Sequence, residues 1–195
     1  MLTHGHFDHV GALPELAERW QVPVYAHALE QPFLNGTTAY PAPDPTVGGG
    51  MMAALSPLYP RGPFNIGKWL EELPNNGEVA GMRGWRWIYT PGHTQGHVAL
   101  WRESDRALIA GDAFITTAQE SAYAVMTQRL ELHGPPMYYT EDWEAAAKSV
   151  NDLCNLEPEL VITGHGRAMQ GGEMRIALTT LANNFAEIAV PKSHR

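Results

Sequence analysis

Within His4-Gly5-His6-Phe7-Asp8-His9, three imidazoles and one carboxylate fall in six consecutive residues. Neutral imidazole nitrogens and ionised carboxylate oxygens are the donors that borderline divalent ions prefer, so the cluster reads as a metal site. In extended backbone His4 and His6 project to one side while Asp8 and His9 follow the chain round, which lets one short segment serve two ions. The pattern is interrupted and runs into an apolar helix, unlike the unbroken run of a purification tag. It supplies at most two ligands per ion, and each ion wants four or more, so the set must be completed elsewhere. His93 in Thr90-Pro91-Gly92-His93-Thr94, Asp112 in Ala110-Gly111-Asp112-Ala113 and His165 in Thr163-Gly164-His165-Gly166 each follow an expected strand end. Catalytic groups gather there in layered α/β folds. His97, four residues after His93, suits a role orienting a ligand. His27, His133 and His194 have no such placement and rank lower.

The elements that would position these groups follow from periodicity. Val10, Leu13, Leu16, Ala17 and Trp20 repeat at the helical period, with Pro14 in the first turn, so a helix leaves the cluster. Val22 to His27 reads as a short buried strand. Residues 31–76 are rich in Pro and Gly and are expected to form a loop-rich flap over the site, with short helices at Met51 to Leu55 and Asn65 to Glu72. Strands are expected from Trp85 to Tyr89, His97 to Arg102 and Arg106 to Gly111, the last two joined by a turn at Glu103-Ser104-Asp105. Thr140 is expected to cap a helix buried along Trp143, Ala147, Val150 and either Leu153 or Cys154. Glu159 to Thr163 is a further strand. A last helix begins near Gly172 and carries Met174, Leu178, Leu181, Phe185 and Ile188 on one face. The mixture gives an α/β layered class.

The chain has 195 residues, 44% apolar and 17% charged, enough for one domain with a sizeable core. A net charge of −8 with no basic run argues against nucleic acid as the main partner. No stretch approaches a membrane span. The single Cys154 excludes an internal disulfide framework, fits a cytoplasmic location and is expected to be a buried, inert thiol.

His4-x-His6-x-Asp8-His9, followed in order by His93, Asp112 and His165, resembles the metallo-β-lactamase-fold superfamily of hydrolases. Thr3 to Gly11 together with Thr90-Pro91-Gly92-His93-Thr94-x-Gly96-His97 is similar to its glyoxalase II and lactonase side. The resemblance implies an αββα sandwich across residues 1–195. It also implies two metal ions, one on His4, His6 and His93 and the other on Asp8, His9 and His165, with Asp112 between them. Zinc suits such ligands first, and iron or manganese is permitted. Two ions sharing a water would generate a bridging hydroxide that attacks a small ester, thioester or lactone, with Asp8 orienting it and passing a proton. The alternatives are a mononuclear-iron persulfide dioxygenase of the same fold and a non-catalytic metal-binding module. Lactonases of this fold carry a tyrosine three residues after the bridging aspartate. Here that position is Ile115, which leaves Tyr123, Tyr138 and Tyr139 as candidates. The family also places several strands before the histidine motif, where this chain has only Met1-Leu2-Thr3. The expectation is therefore an N-terminally incomplete chain, and the rival is a homodimer that covers exposed sheet edges.

Overall fold

The computed structural model describes residues 1–195. In chain order the opening loop leads to α1 (Phe7–Val10), α2 (Leu13–Trp20), β1 (Val24–Ala26), α3 (Gln31–Leu34), α4 (Met51–Leu55) and β2 (Leu70–Glu72). Next come β3 (Trp85–Tyr89), β4 (Val98–Arg102), β5 (Ala107–Gly111), α5 (Ala122–Thr127) and α6 (Trp143–Cys154). The chain ends with β6 (Leu160–Thr163), β7 (Met169–Gln170), α7 (Gly171–Asn183) and α8 (Phe185–Ile188). No helix is long and apolar enough to cross a membrane.

The larger sheet has the order β3-β4-β5-β6-β7. Every neighbouring pair is antiparallel except β5 and β6, which are parallel. β4 and β5 lie inside the sheet, and their near-continuous apolar runs are buried on both faces. The turn between them is held by a two-pronged contact from Arg102 to Asp105, with N···O distances of 2.8 and 2.6 Å. Helices α6, α7 and α8 cover this sheet through a core that includes Trp101, Leu108, Phe114, Val150, Leu153, Met174, Leu178 and Phe185. The smaller sheet pairs β1 with β2 in parallel. It packs with α2 and α3 in a second cluster of Leu2, Val10, Ala17, Val24, Ala26, Leu34 and Ile66. Helices thus lie against each of two sheets, the αββα plan. The opening residues tie the sheets together: Leu2 N–H donates to Tyr25 O at 2.8 Å, and Val98 N–H donates to Thr3 O at 3.0 Å.

Several local expectations change. The helix expected at 65–72 is a turn followed by β2, because Asn65 Oδ1 accepts from Gly67 N–H and the backbone then pairs with β1, Val24 N–H donating to Trp69 O at 2.7 Å. The helix leaving the cluster is split into α1 and α2 around Gly11 and Ala12. The cap of α6 is Asp142, whose Oδ1 accepts from Ala145 N–H at 2.9 Å, and not Thr140. The terminal helix breaks at Asn184, whose φ of −125° is not helical, and Ile188 ends up partly exposed. Cys154 is only half-buried, with Sγ 3.8 Å from Thr179 Oγ1.

Candidate metal centre

The chain brings its candidate ligands together by two devices. The first is the single turn of α1. His6 is its N-cap in extended backbone, and the helical rotation that follows carries Asp8 toward His165 while bringing the His9 ring back to 4.2 Å from that of His4. Contiguous residues therefore face two places. The second device is the sheet, which delivers His93 just beyond β3, Asp112 just beyond β5 and His165 just beyond β6. Parallel pairing of β5 with β6 sets the last two side by side at the same sheet edge.

All seven sequence-predicted residues converge. His4, His6 and His93 form one group whose ligand atoms lie within 4.8 Å of one another, and Asp8, His9 and His165 form a second. His4, His9 and Asp112 overlap both. Asp112 Oδ2 lies 3.2 Å from His165 Nε2, 3.5 Å from His9 Nε2, 3.5 Å from His93 Nε2 and 3.9 Å from His4 Nε2. Asp8 Oδ2 lies 3.3 Å from His165 Nε2, and His6 Nδ1 lies 3.0 Å from His93 Nε2. His4 Nε2, His9 Nε2 and Asp112 Oδ1 are buried with no hydrogen-bond partner. Orphaned buried polar atoms are costly, and three of them aimed into one space fit the donor set of a cation site. Gly164 makes room for the carboxylate: a Cβ there would stand 2.0 Å from Asp112 Oδ1.

The electrostatics divide the site. Burial strips water from His4, His6, His93 and His97 and drives all four toward the neutral form, His6 down to about 3 and His97 to about 4. Neutral imidazole is the metal-binding state. His9 and His165 go the other way. Burial works against it, yet the charges of Asp112 and Asp8 prevail, and His165 is pushed up to about 9. Asp112 stays ionised well below the usual carboxylate range despite its burial, because His165 and His9 face it.

Surrounding groups orient the ligands. His97 Nδ1 donates to Thr90 O at 3.1 Å, so its Nε2 accepts the Asp112 backbone N–H at 3.0 Å. Thr140 gives its proton to Pro136 O and accepts from His93 Nδ1 at 3.2 Å, leaving His93 Nε2 for the site. The rings of Tyr40 and Tyr139 lie 4.5 and 4.6 Å from that of His6. Among the tyrosine candidates, Tyr139 is at the site with its hydroxyl buried and unpartnered. Tyr138 lies beside it, and Tyr123 is exposed on α5. His27 instead stacks on Tyr89, while His133 and His194 lie near Glu131 and Asp44. Sequence reasoning passed over Glu30 and Tyr40, since no spacing links either residue to the motif.

A sequence model of the metallo-beta-lactamase superfamily matches residues 1–165. The chain is 49% identical over 188 residues to a probable metallo-hydrolase, YflN, of Bacillus subtilis (strain 168), covering 96% of this chain and 71% of that protein. It is 32% identical over 114 residues to a hydroxyacylglutathione hydrolase of Halorhodospira halophila, covering 58% of this chain and 31% of that one. Among solved structures, TTHA1623 in a di-iron-bound form is similar with a TM-score of 0.56 and 25% identity, over 92% of this chain and 72% of that chain. Sequence, fold and ligand geometry agree: the chain belongs to the metallo-beta-lactamase superfamily and is a metal-dependent hydrolase.

Proposed function

We propose that this hydrolase works with two divalent ions on a small ester, thioester or lactone. His4, His6 and His93 would hold one ion, Asp8, His9 and His165 the other, and Asp112 would lie between them. The observation that carries this reading is the position of Asp112 Oδ2, within 3.9 Å of imidazoles from both groups. The mixed nitrogen and oxygen set accommodates zinc, iron or manganese. Such a pair of ions, when bound, supplies an acidified water and an electrophile for a carbonyl oxygen.

The chain's own residues do the rest. Asp8 is the ligand most open to solvent, so its carboxylate is suited to accept a proton and return it to a leaving oxygen or sulfur. Tyr139 is held as a phenol, since burial and the charge of Asp8 push it up to about 12, and its unpartnered hydroxyl is a donor for a substrate carbonyl. A cavity of about 330 Å³ opens beside His6, lined by Pro41, Ala42, Met137, Tyr138 and Tyr139. That volume suits a small molecule. A larger cavity of about 710 Å³, bounded by Met82, Trp85 and Trp101, contains none of the candidate ligand residues. Tyr40 reaches the site from residues 31–76, which supports a pocket-shaping role for that segment, although β2 within it belongs to the smaller sheet.

The convergence of Asp8, His9 and His165 favours two ions over a single iron. Metal analysis coupled to a panel of esters, thioesters and lactones tests this. Two ions per chain with turnover on at least one class is the expected result, and Asp112→Ala is expected to abolish turnover. One ion per chain, or an active Asp112→Ala protein, would refute the assignment.

A further inference from the structure

Glu30 is fully buried, and none of the ion pairs in the molecule includes it. A buried carboxylate without a cationic partner must be satisfied by hydrogen-bond donors. Four surround it. Oε2 accepts from the Gly5 N–H at 2.9 Å and from the Tyr40 hydroxyl. Oε1 accepts from Thr94 Oγ1 at 2.6 Å and from the Gly96 N–H at 3.0 Å. The two oxygens thus hold two different loops. Gly5 stands between His4 and His6, while Thr94 and Gly96 stand between His93 and His97. The approach is close enough that a Cβ on Gly96 would come within 2.8 Å of Oε1. Tyr40, fixed by the same carboxylate, also lies against the His6 ring. By contrast, no donor to Glu30 comes from α1 or from the loop that carries His165.

We propose that Glu30 is a positioning residue that clamps the opening loop to the loop after β3, setting the spacing of His4, His6 and His93 and so the affinity for one ion of the pair. This rests on the two-ion reading above. A carboxylate suits the task because both oxygens accept, whereas an amide of the same size presents one acceptor and one N–H₂ group. In Glu30→Gln that N–H₂ must face either Gly5 and Tyr40 or Thr94 and Gly96. The hydroxyl on that side can turn to accept, but the Gly5 or Gly96 N–H loses its acceptor, so one loop is held less tightly while the side-chain volume is kept.

The test is a stepwise Zn(II) titration of the metal-free full chain against a chelator, with Co(II) absorption spectra and the metal-free Tm recorded alongside. For Glu30→Gln, one ion is expected to bind about 10- to 100-fold more weakly, the usual effect of losing a group that orients a ligand. The other ion should stay within about threefold, and the Co(II) spectrum of only one site should change. Thr94→Val, which removes one of the two bonds from the His93 loop to Glu30 and none from the opening loop, should weaken the same ion by about tenfold and serves if Glu30→Gln does not fold. Wild-type affinity for both ions in the variants, or equal weakening of both with a parallel fall in metal-free Tm, overturns the clamp. Two ions bound by the wild type with no hydrolysis sinks the catalytic reading and leaves the clamp standing. Failure of the wild type to take up two ions overturns both.

Discussion

His97 shows how a residue that binds nothing can decide what its neighbours bind. Its Nε2 takes the backbone N–H of Asp112 and its Nδ1 is spent on Thr90, so the turn that aims the Asp112 carboxylate is pinned from beside His93. His97→Ala should lower metal affinity by about 10- to 100-fold, measured by chelator competition, although every candidate ligand side chain is retained. Gly164→Ala should do comparable harm for a steric reason, because the new methyl collides with Asp112 Oδ1. Normal metal loading in Gly164→Ala would show that the carboxylate can move aside. The seven candidate ligand residues were legible in the sequence because imidazoles are scarce and five of them recur at strand ends or in one six-residue cluster. Glu30 was not, since a single acid between Leu29 and Gln31 looks like any surface charge until the fold buries it.

At the level of elements, β3 to β6 of the larger sheet were legible to within a residue or two because apolar, β-branched and aromatic residues crowd them between clear turns, whereas the two-residue β7 was missed. β2 was not. Leu70–Glu72 has no strand pattern of its own and is strand only because β1 offers it a parallel edge. The start of α6 was misread by two residues, because Thr140 and Asp142 are both good caps and only the tertiary fold assigns them different work. That difference can be measured. Asp142→Ala should cost about 1 kcal/mol of stability and leave metal binding intact. Thr140→Val should leave stability nearly unchanged and weaken the ion held by His93. If instead the two variants behaved alike, the division of labour between cap and ligand support would be wrong.

Across the whole molecule, stability depends on groups that the chemistry does not use. Burial, aided by the charge of Glu30, pushes the Glu141 carboxyl up to about 7 from 4.5. A raised carboxyl stabilises the fold fully below its unfolded value, and that contribution is lost as pH rises through its folded one. Relative to Glu141→Gln, the wild type should therefore lose Tm between pH 4.5 and 7, a trend visible in paired melts and absent if Glu141 is solvated. Metal removal should lower Tm as well, by the equivalent of about 2.7 kcal/mol when free ion had stood at a hundred times its Kd. The timing of that effect follows from the topology. The proposed ligands run from His4 to His165, and the placing of the last depends on β5 meeting β6 across an intervening crossover that includes α5 and α6. A site assembled from positions so distant in sequence is complete only when both sheets have met, and an interaction absent from the folding transition state changes the unfolding rate and not the folding rate. Bound ions should therefore act as a brake on the way out and not as a guide on the way in: stopped-flow measurements should show unfolding slowed by metal and the refolding rate almost untouched.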